Sequence, residues 1–128
     1  MSFKMLKFLR KEHLEIDAES VAILSRSLGA RRMREILEET VFHLTDRIGL
    51  MARAIEAGEA AEARALAARM AMMSEQVGLT GFARVARDLD GCLHREDRVA
   101  AAAVAGRLGR LADSAAVRLI EQADRSAL

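Results

Sequence analysis

The residues best able to do covalent or metal chemistry near neutral pH are His13, His43 and His94, together with Cys92. Their spacing works against them. A helix offers two ligands to one metal when they stand three or four residues apart, and no two of these histidines do. Cys92 and His94 are two residues apart, which puts them on different sides of a helix. Cys92 is expected to be a small core residue. The acidic pairs Glu38 and Glu39, and Asp88 and Asp90, are expected on solvated helix surfaces, with nothing apolar placed to raise a carboxyl pKa. Gly78-Leu79-Thr80-Gly81 is too short for a phosphate-cradling loop and lacks the lysine that follows one, so it reads as a turn between helices. The Glu plus Glu-x-x-His set that holds two irons in a helical bundle is missing. No enzyme constellation, metal site or cofactor is therefore expected.

Any functional surface must then be built from helix faces. The chain has 128 residues, the size of one domain, with 52% hydrophobic and 30% charged residues. That mixture supplies a core and a polar surface. It contains 25 alanines, no Pro, Trp or Tyr, and four Phe, which describes an all-α protein. The net charge of +1 calls for no polyanion. Aromatics for stacking bases are scarce, so nucleic acid is not an expected partner. The single Cys92 excludes an internal disulfide and suits a reducing cytoplasm. No apolar run approaches the roughly 20 residues that span a membrane. Lys4, Lys7, Arg10 and Lys11 interrupt every short apolar stretch, so no secretory leader is expected at the N-terminus and a cytoplasmic location is.

All three lysines lie in the first eleven residues, which sets residues 1–16 apart as a basic amphipathic arm. Lasting membrane contact needs two signals, and only one is present, so the arm is not expected to bind a membrane. Residues 17–128 form the domain proper. Asp17, or alternatively Ser20, caps a short helix that ends at Gly29. A long helix follows, with Leu37, Val41, Leu44, Ile48, Met51 and Ile55 spaced at three and four residues, and Gly58 ends it. The next runs to about Val77 with Ala63, Leu66, Met70, Met73 and Val77 on its stripe. Thr80 caps a fourth, which buries Phe82, Val85, Leu89 and Leu93, and Asp97 caps a fifth with Ala101, Val104, Leu108, Leu111 and Ala115. Gly106 and Gly109 lie off that last stripe, where close helix approach is one use for them. Connections this short favour antiparallel neighbours. The expected fold is an up-down-up-down four-helix bundle with a short extra N-terminal helix.

The stretch Leu66-Ala67-Ala68-Arg69-Met70-Ala71-Met72-Met73-Ser74-Glu75-Gln76-Val77-Gly78, followed by Phe82, Val85, Ala86, Leu89 and Asp90, is the most informative. It resembles the signature helix of histidine-containing phosphotransfer (HPt) domains, whose pattern is approximately A-H-x-L-K-G-x-S-x-x-[LV]-G. Ala67, Met70, Ser74, Val77 and Gly78 match its small, apolar, Ser, apolar and Gly positions. Phe42, Leu44, Ile48, Met51 and Ile55, then Ala57-Gly58-Glu59, resemble the family's preceding helix. The resemblance covers roughly residues 35 to 122. The departures from it are larger than the matches. Ala68 stands where the phosphoacceptor histidine should, and alanine has no nucleophile. Ala71 and Met72 replace the pattern's Lys and Gly. No histidine lies anywhere in this helix to rescue a slipped register, and Arg69, its nearest cation, cannot accept phosphate.

What the resemblance implies is therefore a degenerate, non-enzymatic HPt-like protein of a bacterial phosphorelay. It would dock a response-regulator receiver domain or a histidine kinase without carrying phosphate. The expected docking face is Arg64, Ala65, Ala68, Arg69, Ala71, Met72 and Glu75, turned outward while Leu66, Met70, Met73 and Val77 turn inward. Methionine adapts to varied partner surfaces, and exposed apolar patches mark contacts. Two alternatives stay open: phosphotransfer on a displaced histidine, His43 or His94, and a structural bundle that forms a homodimer.

Overall fold

The computed structural model describes residues 14–127. Among them it forms five helices and no strand. α1 spans Ala18–Leu28. Asp17 caps it as expected: its carboxylate accepts from the Ser20 amide at 3.2 Å and from the Ser20 hydroxyl at 2.7 Å. Gly29, at φ 83°, ends α1 and starts α2, Ala30–Glu56. The turn after α2 contains Gly58 at φ 74°, a left-handed position that glycine adopts without strain.

α2 buries Met33, Leu37, Leu44, Met51 and Ala54, and half-buries Val41, Ile48 and Ile55. Phe42 lies outside this seam. It is 68% exposed, because two residues before Leu44 is the opposite side of a helix. α3 spans Ala60–Gln76 and α4 spans Thr80–His94. Thr80 is not the cap of α4: Leu79 holds that position, fully buried, and no side chain caps the helix. α4 buries Phe82, Ala83, Val85, Ala86, Leu89 and Cys92. α5, Arg98–Ala127, begins where the Asp97 carboxylate accepts from Ala100 N at 3.1 Å. It contributes Ala101, Leu108, Leu111, Ala112 and Ala115 to the core. A Cβ at Gly109 would meet nothing within 4 Å, so that glycine serves no close helix approach.

The packing is that of a helical bundle. α2 packs on α3, α3 on α4, α4 on α5, and α5 back on α2, while α1 lies against α5 and α2. Phe82, Leu89, Met51, Met70 and Leu108 are wholly enclosed. Each such side chain stabilises the fold by about 1.5–3 kcal/mol relative to exposure.

One feature has no counterpart in the helical pattern. Residues 14–17, most of which the sequence assigns to the arm, form a strap across the α3–α4 turn. Asp17 N donates to Gly78 O at 2.7 Å, and Gly81 N donates to Glu15 O at 3.1 Å. Glu15 also pairs with Arg84 at 2.8 Å, and Leu14 is buried.

Candidate functional site: the α3–α4 groove

α3 meets α4 through small side chains. Ala63, Ala67, Met70, Ala71 and Ser74 are its buried residues, and α4 faces the core with Ala83 and Ala86 among others. The stripe on α3 is therefore centred about one residue away from the expected one. Leu66 and Met73 are only half-buried, whereas Ala67 is completely enclosed. Ser74 fits this buried line because its hydroxyl donates to Met70 O at 2.7 Å and lies 3.1 Å from Ala71 O. A buried hydroxyl without such partners would be costly.

Beside this contact runs a shallow groove of about 310 Å³, lined by Ala68, Ala71, Met72, Glu75, Arg87 and Asp90. Ala68 is exposed on the surface of α3. Met72 is 59% exposed, a large apolar side chain left standing in water. Ala65, Arg69 and Glu75 are exposed and Arg64 is half-buried. Ala71 is the correction to the expected face. It is only 3% exposed and lies in the groove, not on its rim. A methyl group is short enough to be covered where the two helices converge.

Two cross-helix ion pairs frame the groove. Arg64 Nε meets Asp90 Oδ1 at 2.8 Å, and Arg87 pairs with Glu75. Asp90 is thus neither a free surface acid nor a partner of Asp88. It is half-buried and held by a residue of another helix. Pairs this exposed contribute between nothing and about 1 kcal/mol each. Their larger effect is to fix where the charges stand. Arg87 and Asp90 belong to the site and were not singled out by sequence for it. Arg64 and Asp90 are separated by 26 residues, and no local spacing signals a contact of that range.

The remaining chemical candidates fall elsewhere. His43 is exposed on α2, its ring edge-on to Phe42 at 5.7 Å and 73°. His94 is exposed at the end of α4. Neither lines the groove. His13 lies outside the described residues. Cys92 is buried as expected, with Arg95 Nη2 at 3.6 Å from its sulfur. Among the described residues no three His, Cys, Asp or Glu side chains cluster as metal ligands. No helix among them is long and apolar enough to cross a membrane. A second concavity, about 380 Å³, sits between the α2–α3 and α4–α5 turns with Ile55, Leu93, Glu96 and Arg98 in its lining. Its lining contains no Ser, Thr, Cys, His or Lys. The chain matches no family model, and no curated protein or solved structure matches it.

Proposed function

We propose that this chain is an HPt-like protein-docking module of a bacterial phosphorelay that binds a receiver domain, or the kinase that serves it, through the α3–α4 groove and carries no phosphate. The observation that carries the reading is the pairing of Ala68 with Met72. The position that resembles a phosphoacceptor site is exposed on α3 but holds a methyl group. One turn along the same face, a methionine is 59% exposed beside a groove. The surface offers apolar contact and oriented charge, and no nucleophile.

Other features agree with this reading. Ser74 is buried and bonded within α3, and Gly78 at φ 85° ends the chain's turn after it, in the places where the family pattern has its Ser and Gly. The closed circuit of packing among α2, α3, α4 and α5, with turns of a few residues between them, fits an antiparallel up-down-up-down bundle to which α1 is added. The module would work in the cytoplasm, by sequestering its partner or biasing it.

The test is a titration of isotope-labelled full-length protein with receiver domains from the same genome, followed by NMR. Amide shifts should cluster at residues 64–75 and 87–90. Met72→Glu should weaken the binding at least tenfold, because it places a charge on the apolar contact. Unchanged affinity for Met72→Glu, or shifts elsewhere, would reject this face. An acid-labile phosphoprotein after incubation with a phosphorylated receiver would reject the claim that phosphate is not carried.

A further inference from the structure

We propose that the strap, residues 14–17, is the cap that α4 lacks, and that the α4 wall of the groove stands in place against α3 only while the strap is seated, so that seating controls the docking face; this rests on the functional reading only for what docks there. α4 begins without a cap of its own. Leu79 holds its N-cap position and no side chain bonds its first turn. The first amides of a helix have no partner inside it and must find one outside. The strap supplies one: Gly81 N donates to Glu15 O at 3.1 Å, and across the turn Asp17 N donates to Gly78 O at 2.7 Å. The Glu15 carboxylate, paired with Arg84 at 2.8 Å, brings negative charge to the positive end of α4. Both landing points are glycines with no room for a side chain. A Cβ at Gly78 would lie 3.0 Å from Asp17 O and from Val21 Cγ2, and one at Gly81 would lie 2.8 Å from Glu15 N, whereas the other six glycines show nothing closer than 3.2 Å.

From these points the groove is one bond away on α3 and one turn away on α4. Gly78 N donates to Glu75 O at 3.1 Å, and Glu75 lines the groove. Arg84 stands three residues, about 4.5 Å of rise, before Arg87, which pairs with Glu75. The Glu75–Arg87 and Arg64–Asp90 pairs cross from one helix to the other, so they form only while α3 and α4 keep their relative position. Pairs this exposed are too weak to enforce that position themselves. The strap, bonded on both sides of the turn, enforces it.

The strap is also held by little: two backbone bonds, one exposed ion pair and the burial of Leu14. Opening so small a unit takes less than unfolding the bundle, whose own core includes Phe82, Leu89 and Met70. When the strap lifts, Gly81 N and Gly78 O lose their partners, the first turn of α4 frays, and Arg87 leaves the position from which it meets Glu75. A partner that needs Arg87 and Asp90 in place binds the seated state, and by linkage its binding holds the strap down.

The experiment uses the labelled full-length chain, Gly81→Ala, and Glu15→Lys, which alters only an exposed pair and leaves the fold intact. In Gly81→Ala, hydrogen exchange at Ala83 and Arg84 should quicken at least tenfold, and amides of residues 72–75 and 87–90 should shift. Glu15→Lys should move the same groove amides by less. Adding Arg84→Glu, which re-forms the pair with its charges reversed, should bring them part of the way back. Shifts confined to residues 14–21 and 77–84, or no recovery in the reversed pair, would overturn the proposal. Receiver titration separates it from the functional reading. If Gly81→Ala seats its strap one-tenth of the time, a receiver should bind it about tenfold more weakly than it binds the parent. A receiver that binds both alike at the groove rejects the strap's control and leaves the docking face. Groove shifts in the variants, with no receiver bound by the parent, support the strap and reject the receiver.

Discussion

Gly81→Ala sets two effects of opposite sign against each other, and the strap decides between them. Gly81 is the second residue of α4, where alanine is worth up to about 1 kcal/mol more than glycine in a helix. An ideal Cβ there would stand 2.8 Å from Glu15 N, 3.0 Å from Glu15 Cβ and 3.3 Å from Glu15 Cα. Two of those atoms are backbone and cannot rotate away, so the strap must lift. Lifting it strains or breaks the Gly81–Glu15 and Asp17–Gly78 hydrogen bonds and exposes Leu14, now 2% accessible. Leucine burial is worth about 1.5–3 kcal/mol and each bond about 0.5–1.5. Against the helix gain, the net loss comes to about 2 kcal/mol. For a chain of this size that lowers Tm by roughly 6–10 °C. Thermal and urea unfolding of the full chain, followed by far-ultraviolet circular dichroism, would measure it. Leu14→Ala should be coupled to it, the double variant losing at least about 1 kcal/mol less than the sum. A Gly81→Ala protein as stable as the parent, or more so, would show that helix propensity wins and that the strap is not seated. Strict additivity with Leu14→Ala would show that the two residues do not belong to one contact.

Three further outcomes follow from the same geometry. Hydrogen bonds from the Ser20 hydroxyl and amide hold the Asp17 carboxyl below its usual range. A carboxyl lowered in the folded state stabilises fully above its unfolded pKa and loses that contribution as pH falls through the folded one. The stability gap between parent and Asp17→Asn should thus shrink steadily below about pH 4, and a gap independent of pH in urea titrations would contradict the cap's ionic character. Ala68→His changes an exposed position, so unfolding free energy should move by less than about 0.5 kcal/mol; a larger drop would mean that the site is not on the surface. Phe82→Ala empties a wholly enclosed site and should cost about 3–5 kcal/mol, visible as a large fall in urea midpoint.

How far the sequence reveals this molecule depends on how local each signal is. Leu37, Leu44 and Met51 announce the buried line of α2 through spacing alone, and the structure buries all three. Asp17 and Asp97 announce helix starts through a bond that reaches three residues. Phe42, one residue off the α2 seam, is left exposed, as the same periodicity requires of a position two residues before Leu44. The stripe on α3 misleads. Large residues, Leu66 and Met73, look like the core, but α3 turns alanines and a serine inward and leaves the larger side chains at its margins. In the groove, Ala68, Met72 and Glu75 were legible from one helix, whereas Arg87 and Asp90 come from another and needed the fold. The strap was not legible at all: Glu15 and Arg84 are 69 residues apart, and their segments carry no pattern that names the other.

The same small residues that hide the site also define what it can do. Alanines buried on both α3 and α4 leave the groove shallow and hold its width to a methionine's reach. Chemistry on a phosphoryl group would need a nucleophile at Ala68 and a cation free to meet the developing charge. Ala68 supplies no nucleophile. The groove's own arginine, Arg87, is committed to Glu75, and Arg64 at its edge is committed to Asp90. Restoring a histidine at Ala68 would therefore restore one element of several, with Arg87 and Arg64 still engaged by carboxylates of this chain. Contact, in contrast, needs nothing that is missing: an exposed apolar side chain, a depression beside it, and charges fixed on either side to set the orientation of whatever docks there.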